Sequence, residues 1–102
     1  MSYLVRRWWG KEERDLDKDK FREVIEELEQ ADDEHPDVAL KHETEWVLSY
    51  SRSRRLVFEN VEHGGGARHL ANVDPERVVL LWGHLADGDL EAIDHENWEQ
   101  GY

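Results

Sequence analysis

The fold is decided by residues 38–61, VALKHETEWVLSYSRSRRLVFENV. Apolar and polar residues alternate in three short runs there, which is the pattern of half-buried strands. The apolar members are Val38 and Leu40 in the first run; Trp46, Leu48 and Tyr50 in the second; and Leu56 and Phe58 in the third, opposed by Val57 and Val61. Residues 51–54 are polar and predict a hairpin turn between the second and third runs. The stretch therefore predicts antiparallel hairpins.

Two further strands are predicted outside this stretch. Residues 3–9, YLVRRWW, are rich in aromatic and branched side chains, and residues 67–73 follow a run of three glycines. Residues 11–20 alternate in charge, with Leu16 as their only apolar residue, so they predict a solvated loop. We therefore expect a sheet of about four to five strands.

Two amphipathic helices flank the hairpins. Their apolar stripes, at the i, i+3, i+4, i+7 spacing of one helix face, are Phe21, Val24, Ile25 and Leu28, and Val78, Leu81, Trp82 and Leu85. Asp17 or Asp19 is predicted to cap the first helix. Asp74 is expected to accept the free amides of the second through its side chain, and Pro75 to open that helix. Gly88 is expected to end it in a left-handed conformation.

These elements predict one α+β domain over residues 1–102, with two layers. A mainly antiparallel sheet carries both helices on one face, and an acidic C-terminal tail covers about residues 88–102. The 102 residues contain no cysteine, so the chain has no thiol nucleophile and no disulfide. The N-terminal sequence lacks the apolar core of a signal peptide, and no stretch is long and apolar enough to span a membrane. We therefore predict a cytoplasmic protein.

The charge is strongly acidic and unevenly distributed. The net charge is -12, and residues 26–45 and 74–102 hold seventeen acids against Lys41 and Arg77. Such a field repels nucleic acid and anionic lipid and attracts basic surfaces, mainly by speeding encounter. The sequence therefore predicts a basic protein partner, with the solubility of a small protein or a salty cytoplasm as alternative causes of the acidity.

The predicted binding surface combines both acidic segments with one indole. Its residues are Asp32, Asp33, Glu34, Asp87, Asp89, Glu91, Glu96 and Trp98. The carboxylates would steer the partner, and Trp98 would either anchor it or pin the tail to the domain. Trp8 and Trp9 are adjacent on a predicted strand, so one of them is expected to be exposed. Trp46 and Trp82 lie on apolar stripes and are predicted in the core.

Two other functions remain open from the residues alone. The loop HGGGARH, residues 63–69, places His63 and His69 where a metal-binding or enzymatic site could form. It lacks the lysine and the following helix of a phosphate-binding loop, and no zinc motif is present, so we predict no metal, cofactor or catalytic residue. A glycine-rich turn is the simpler interpretation. The third function is self-association as a homodimer through the exposed face of the sheet, carrying one of Trp8 and Trp9.

The order of elements resembles the Imm1-like immunity proteins of bacterial polymorphic-toxin systems. The resemblance lies in the helix FREVIEELEQ, the hairpin pair, the glycine-rich turn, and VVLLWGHLADGDLEAI followed by Asn97-Trp98-Glu99. It covers most of the chain, although the polar residues after Trp98 depart from it. The resemblance implies a small cytoplasmic α+β protein that binds a cognate toxin, often a nuclease, and blocks it without catalysis. The acidic segments would then meet the toxin's basic nucleic-acid-binding surface.

Overall fold

The three alternating runs form the centre of a seven-stranded sheet. A computed structural model describes residues 2–31, 37–62 and 66–102. The strands are β1 (Tyr3–Arg6), β2 (Glu12–Arg14), β3 (Asp37–His42), β4 (Trp46–Ser51), β5 (Leu56–Asn60), β6 (Arg68–Leu70) and β7 (Glu99–Gln100). The helices are α1 (Phe21–Glu26), α2 (Pro75–Ala86) and α3 (Leu90–Asp94), and 3-10 turns at Lys18–Lys20 and Glu27–Gln30 flank α1. The predicted α+β class is confirmed.

Every neighbouring pair of strands is antiparallel. The order is β2-β1-β3-β4-β5-β6-β7, so most strands pair with their neighbour in sequence. The exception is β1, which separates β2 from β3 and pairs with both. Because β3, β4 and β5 follow one another through short turns, the β3–β4 turn and the β4–β5 turn lie at opposite ends of the sheet.

One face of the sheet is covered by α1 and α2 and forms the core. Val5, Leu40, Leu48 and Phe58 lie in one row across four strands, and all four are buried. Trp82 of α2 is also fully buried, and its Nε1 donates to the carbonyl oxygen of Leu48 over 3.2 Å. The two helices meet above this row, where Phe21 and Trp82 pack edge to face at 5.6 Å. Trp46, also predicted in the core, is half-buried and stacks on Phe58.

The sheet has more strands than the four to five expected. The added strands are β2, which falls in the predicted loop, and β7, which falls in the predicted tail. Both lie at sheet edges, are short and contain only polar residues, so neither carries the apolar alternation by which a strand is recognised. Both strands are held in the sheet by backbone pairing, β2 with β1 and β7 with β6.

The helix ends agree with the sequence in part. Asp17 accepts the backbone amide of Asp19 and so caps the 3-10 turn before α1, whereas α1 itself follows Lys20 without a side-chain cap hydrogen bond. Gly88, with φ of +76°, follows the end of α2 as predicted. Asp74 is the N-cap residue of α2, but its side chain makes no cap hydrogen bond and pairs with Arg54 at 3.0 Å. The Asp74 carboxylate thus pairs with the guanidinium of Arg54, in the β4–β5 turn, and not with the free amides of α2. None of the helices among the described residues has the length and apolar composition to cross a membrane.

Candidate functional site

The described residues of the predicted binding surface, Asp87, Asp89, Glu91, Glu96 and Trp98, do not all lie together. Asp32, Asp33 and Glu34 lie outside the described residues. Their chain neighbours are Ala31, whose carbonyl accepts from Arg52 over 2.7 Å, and Asp37, which lies opposite Ser51 in the β3–β4 ladder. Both neighbours therefore lie at the end of the sheet that carries the β4–β5 turn. Asp87 contacts Lys18 at the other end.

Glu96 and Asp87 also lie near opposite ends of α2. The carboxylate of Glu96 accepts from the Arg77 guanidinium, with Nε at 2.9 Å. Arg77 is in the first turn of α2 and Asp87 follows its last turn, so about 15 Å of helix separates them. Glu96 is thus an ion-pair partner of α2 and lies apart from Asp87, Asp89 and Glu91.

Trp98 pins the C-terminal segment to the domain. Its ring stacks on Phe58 with centroids 5.4 Å apart, and its Nε1 donates to the carbonyl oxygen of Ile93 over 2.8 Å. The indole is half-buried against the core. Of its two predicted roles, the structure supports the structural one. The predicted tail itself folds into α3 and β7.

The exposed indole belongs to Trp9. It is 55% exposed, whereas Trp8 is half-buried against the core. The prediction that one of the two is exposed is confirmed, but not its reason, because β1 ends at Arg6 and both indoles lie in the β1–β2 turn. The Lys11 ammonium lies 5.9 Å from the Trp9 ring centroid. Neither indole lies on a sheet face, so neither marks the surface predicted for self-association.

A buried ion cluster holds that turn against the helical layer. The Arg7 guanidinium is mostly buried and contacts Glu13 at 2.5 Å and Glu27 at 2.7 Å. The hydrogen bond that Arg7 donates to Glu13 raises the pKa of Arg7, although burial opposes the shift. The hydrogen bond from Arg7 lowers the pKa of Glu13. Since each charge in the cluster is paired, the cluster fixes the position of the turn against the helical layer and offers no free group for chemistry.

The described histidines and carboxylates form no metal site. No group of three or more potential ligands occurs within residues 2–31, 37–62 and 66–102. His63 lies outside the described residues. His69 is on β6, where its Nδ1 is 2.9 Å from the carbonyl oxygen of Gly101, and the Nδ1 of His42 is 2.8 Å from Thr44 Oγ1.

Acidic residues from four separate segments converge at the end of the fold that carries the β3–β4 turn. We call this surface the acidic end. Its members are Asp15, Asp17, Asp19, Glu43, Glu45, Glu62, Asp87, Asp89 and Glu91, and the bases among them are Arg14, Lys18, Lys20 and Lys41. Nine acids against four bases leave this end strongly negative.

Backbone and side-chain contacts connect these segments in series. The amide of Val61, beside Glu62, donates to the Glu45 carbonyl over 3.1 Å, and the Glu43 amide donates to the Ser2 carbonyl over 2.9 Å. The Tyr3 amide donates to the Asp15 carboxylate over 3.2 Å. Lys18, three residues further on, contacts Asp87. The segments therefore form one continuous surface.

The pKa of Tyr3 reflects this surface. Burial is the main cause of its upward shift, and the negative charges of Asp15, Asp17 and Asp87 add to it while Lys18 opposes it. Three carboxylates from two segments thus act on one phenol, which donates to the Leu16 carbonyl. The acidic residues of these two segments therefore lie close enough together to act on the same side chain.

The acidic end retains three predicted residues, Asp87, Asp89 and Glu91, and adds others that were missed. The predicted strand β3 carried a usable signal, because its length separates the acids before it from the acids after it. Among the described residues, Asp37 and Glu43 therefore lie toward opposite ends of β3.

Comparisons of the chain with models of protein families, with curated proteins and with solved structures gave no match. The resemblance to Imm1-like immunity proteins stays a prediction.

Proposed function

We propose that the protein is a non-enzymatic binding domain whose acidic end takes a basic protein as its partner. The observation that carries this proposal is the convergence of acids from four segments on one end of the fold. A solubility device needs only net charge, whereas a binding surface needs its charge concentrated where the partner docks.

The exposure of the carboxylates supports a role in steering. Glu43, Glu62 and Glu91 are exposed, and no ion pair to any of them is found within the described residues. Such groups raise the association rate and are sensitive to salt. Val61 lies beside Glu62 and is 52% exposed, which supplies apolar area within the same surface.

A nucleic-acid-binding protein fits this surface as a partner. Proteins that bind phosphate backbones present clustered lysine and arginine, and a cluster of carboxylates competes for the same groups. The resemblance to immunity proteins adds a specific form of the proposal, in which the partner is a nuclease toxin and binding blocks its active surface.

The test is affinity capture from the lysate of the host, with the tagged chain as bait at low salt and mass spectrometry of what a rising salt gradient elutes. The variant Glu43→Gln/Glu62→Gln/Glu91→Gln removes three charges from the acidic end. Its matched control is Glu23→Gln/Glu26→Gln/Glu29→Gln, which removes three exposed charges from α1 and the turn after it. Both variants have the same net charge.

One basic protein in stoichiometric amount, lost with the acidic-end variant and kept with the control, is the expected result. Addition of the captured protein to a nucleic acid substrate then tests for a nuclease inhibited by this chain. Equal losses in both variants would show that only net charge matters. Loss in the control alone would place the binding surface on α1, and either result would refute the proposal for the acidic end.

A further inference from the structure

No helix among the described residues lies on the face of the sheet opposite α1 and α2. We call it the open face. Strand register places Leu4 and Arg6 of β1, Ala39 and Lys41 of β3, Val47 and Ser49 of β4, and Val57 and Glu59 of β5 on this face. The side chains along β4 are small or branched, which suits close packing of a second sheet about 10 Å away.

A shallow concavity lies on the open face, mainly on the β3 side of β4. Its volume is about 330 Å³, and its lining runs from β1 and β2 across β3 and β4 to one residue of β5, Glu59, and includes Leu4, Ala39, Lys41 and Val47. The concavity is therefore centred over β3. Ala39 and Val47 are almost fully screened from solvent there.

An exposed aromatic side chain lies on the other side of β4. Tyr102 is 72% exposed, and its hydroxyl donates to the Glu59 carboxylate over 2.8 Å. Its carbonyl accepts from Arg55 over 2.6 Å, and the preceding carbonyl, of Gly101, is 2.9 Å from His69 Nδ1. Tyr102 is thus held over β5 and β6. The open face therefore presents a projection over β5 and β6 and a concavity centred over β3.

The distribution of charge favours a second copy of the chain as the partner of the open face. Residues 15–31 hold seven acids against three bases, and residues 74–98 hold seven against one, so the helical layer carries -10 of the net -12. The strands place Glu12, Asp37, Glu59 and Glu99 on the open face with Arg6, Arg14 and Lys41, which is close to neutral. Two copies that meet through their open faces keep their acidic helical layers apart.

We propose that the open face is the interface of a symmetric homodimer whose twofold axis lies along β4. Rotation about that axis places β3 of one copy over β5 of the other. Lys41, Val47 and Glu59 form one row across β3, β4 and β5. Lys41 of each copy therefore faces Glu59 of the other, with Val47 against Val47 between them. The same rotation brings each Tyr102 to the other copy's concavity. This self-complementarity is what an isologous interface requires.

The open face has a small area for a specific interface. Five strands about 4.8 Å apart and about 20 Å long give roughly 500 Å² of flat sheet per copy, to which Tyr102 adds. This is at the small end of the range for specific interfaces, so the dimer is expected to be weak and dependent on concentration.

The test uses sedimentation equilibrium of the chain across a wide concentration range, with charge reversals at the facing pair. Lys41→Glu and Glu59→Lys each create two like-charge contacts in the dimer, which is expected to weaken association at least tenfold. A one-to-one mixture of the two single variants restores attraction at both contacts, because one face is then acidic at both positions and the other basic. The double variant K41E/E59K restores it within a homodimer. The control is Glu23→Lys on α1, which makes the same charge change as Glu59→Lys away from the interface.

The expected result is a wild-type dimer, two weakened single variants, recovery in the mixture and in the double variant, and no weakening in the control. Circular dichroism of each single variant establishes that its monomer is folded. Recovery in the mixture is the decisive arm, because it cannot come from repair of contacts within one chain, such as that of Lys41 with Glu45. A wild-type monomer throughout, a dimer indifferent to both reversals, or a mixture that stays monomeric would each overturn the proposal.

Discussion

Replacing Trp98 by alanine is expected to destabilise the domain by about 3 kcal/mol. Truncating a fully buried aromatic residue costs about 3–5 kcal/mol, so a half-buried indole contributes roughly 2 kcal/mol. The hydrogen bond from Nε1 to the Ile93 carbonyl over 2.8 Å adds about 1 kcal/mol. A change of this size is a large part of the roughly 5–15 kcal/mol that stabilises a domain, and it lowers the melting temperature by roughly 12–24 °C. Trp98→Phe retains a ring against Phe58 and is expected to lose only about 1 kcal/mol.

Urea denaturation followed by far-ultraviolet circular dichroism measures this effect without relying on the fluorescence of the residue that is changed. Trp9→Ala is the matched control, because it removes the exposed indole and should alter the free energy of unfolding by less than about 0.5 kcal/mol. If Trp98→Ala is as stable as Trp9→Ala, Trp98 does not pin the C-terminal segment. Its predicted role as a partner anchor would then regain support.

Two more predictions concern single carboxylates. Because Arg7 lowers the pKa of Glu13 in the folded state, the stability from this contact is present above pH 4.5 and is lost as the pH falls through the lowered folded pKa. The unfolding midpoint should therefore fall more steeply below pH 4.5 for the wild type than for Glu13→Gln, and parallel curves would contradict this. Asp89→Ala removes the N-cap of α3 and is expected to cost about 1 kcal/mol in urea unfolding, while Asp89→Asn retains most of it. Equal losses in these two variants would show that the charge, and not the cap, stabilises α3.

The centre of the fold could be predicted because its side chains carry the signal. Leu40, Leu48 and Phe58 alternate with polar neighbours because one sheet face is buried and the other is not. The edge strand β2 could not, because Glu12–Arg14 pairs with β1 through backbone groups that every residue has. The side chain of Asp74 was misassigned for a different reason, since its alternative partner, Arg54, is twenty residues away in sequence.

The binding surface was less predictable than the fold because it depends on which end of each element a residue occupies. Asp87 and Glu96 are nine residues apart in sequence, yet α3 reverses the chain between them, and their ion-pair partners are Lys18 and Arg77. Glu43 joins Asp87 only because α2 ends near the β3–β4 turn. Neither fact can be obtained from the density of acids along the chain, which was the sequence signal.

The acidic ends connect the two proposed surfaces through electrostatic repulsion. A twofold axis along β4 leaves the direction of β4 unchanged, so both acidic ends of the proposed dimer face the same way and repel each other. Salt shortens the range of this repulsion to about 8 Å at physiological strength, but it screens the Lys41–Glu59 contacts of the dimer and the binding of a basic partner as well. A bound basic protein neutralises the acidic ends and removes the same repulsion. If both proposals hold, partner binding and dimerisation are expected to be coupled, and by linkage the dimer would bind the partner more tightly than the monomer.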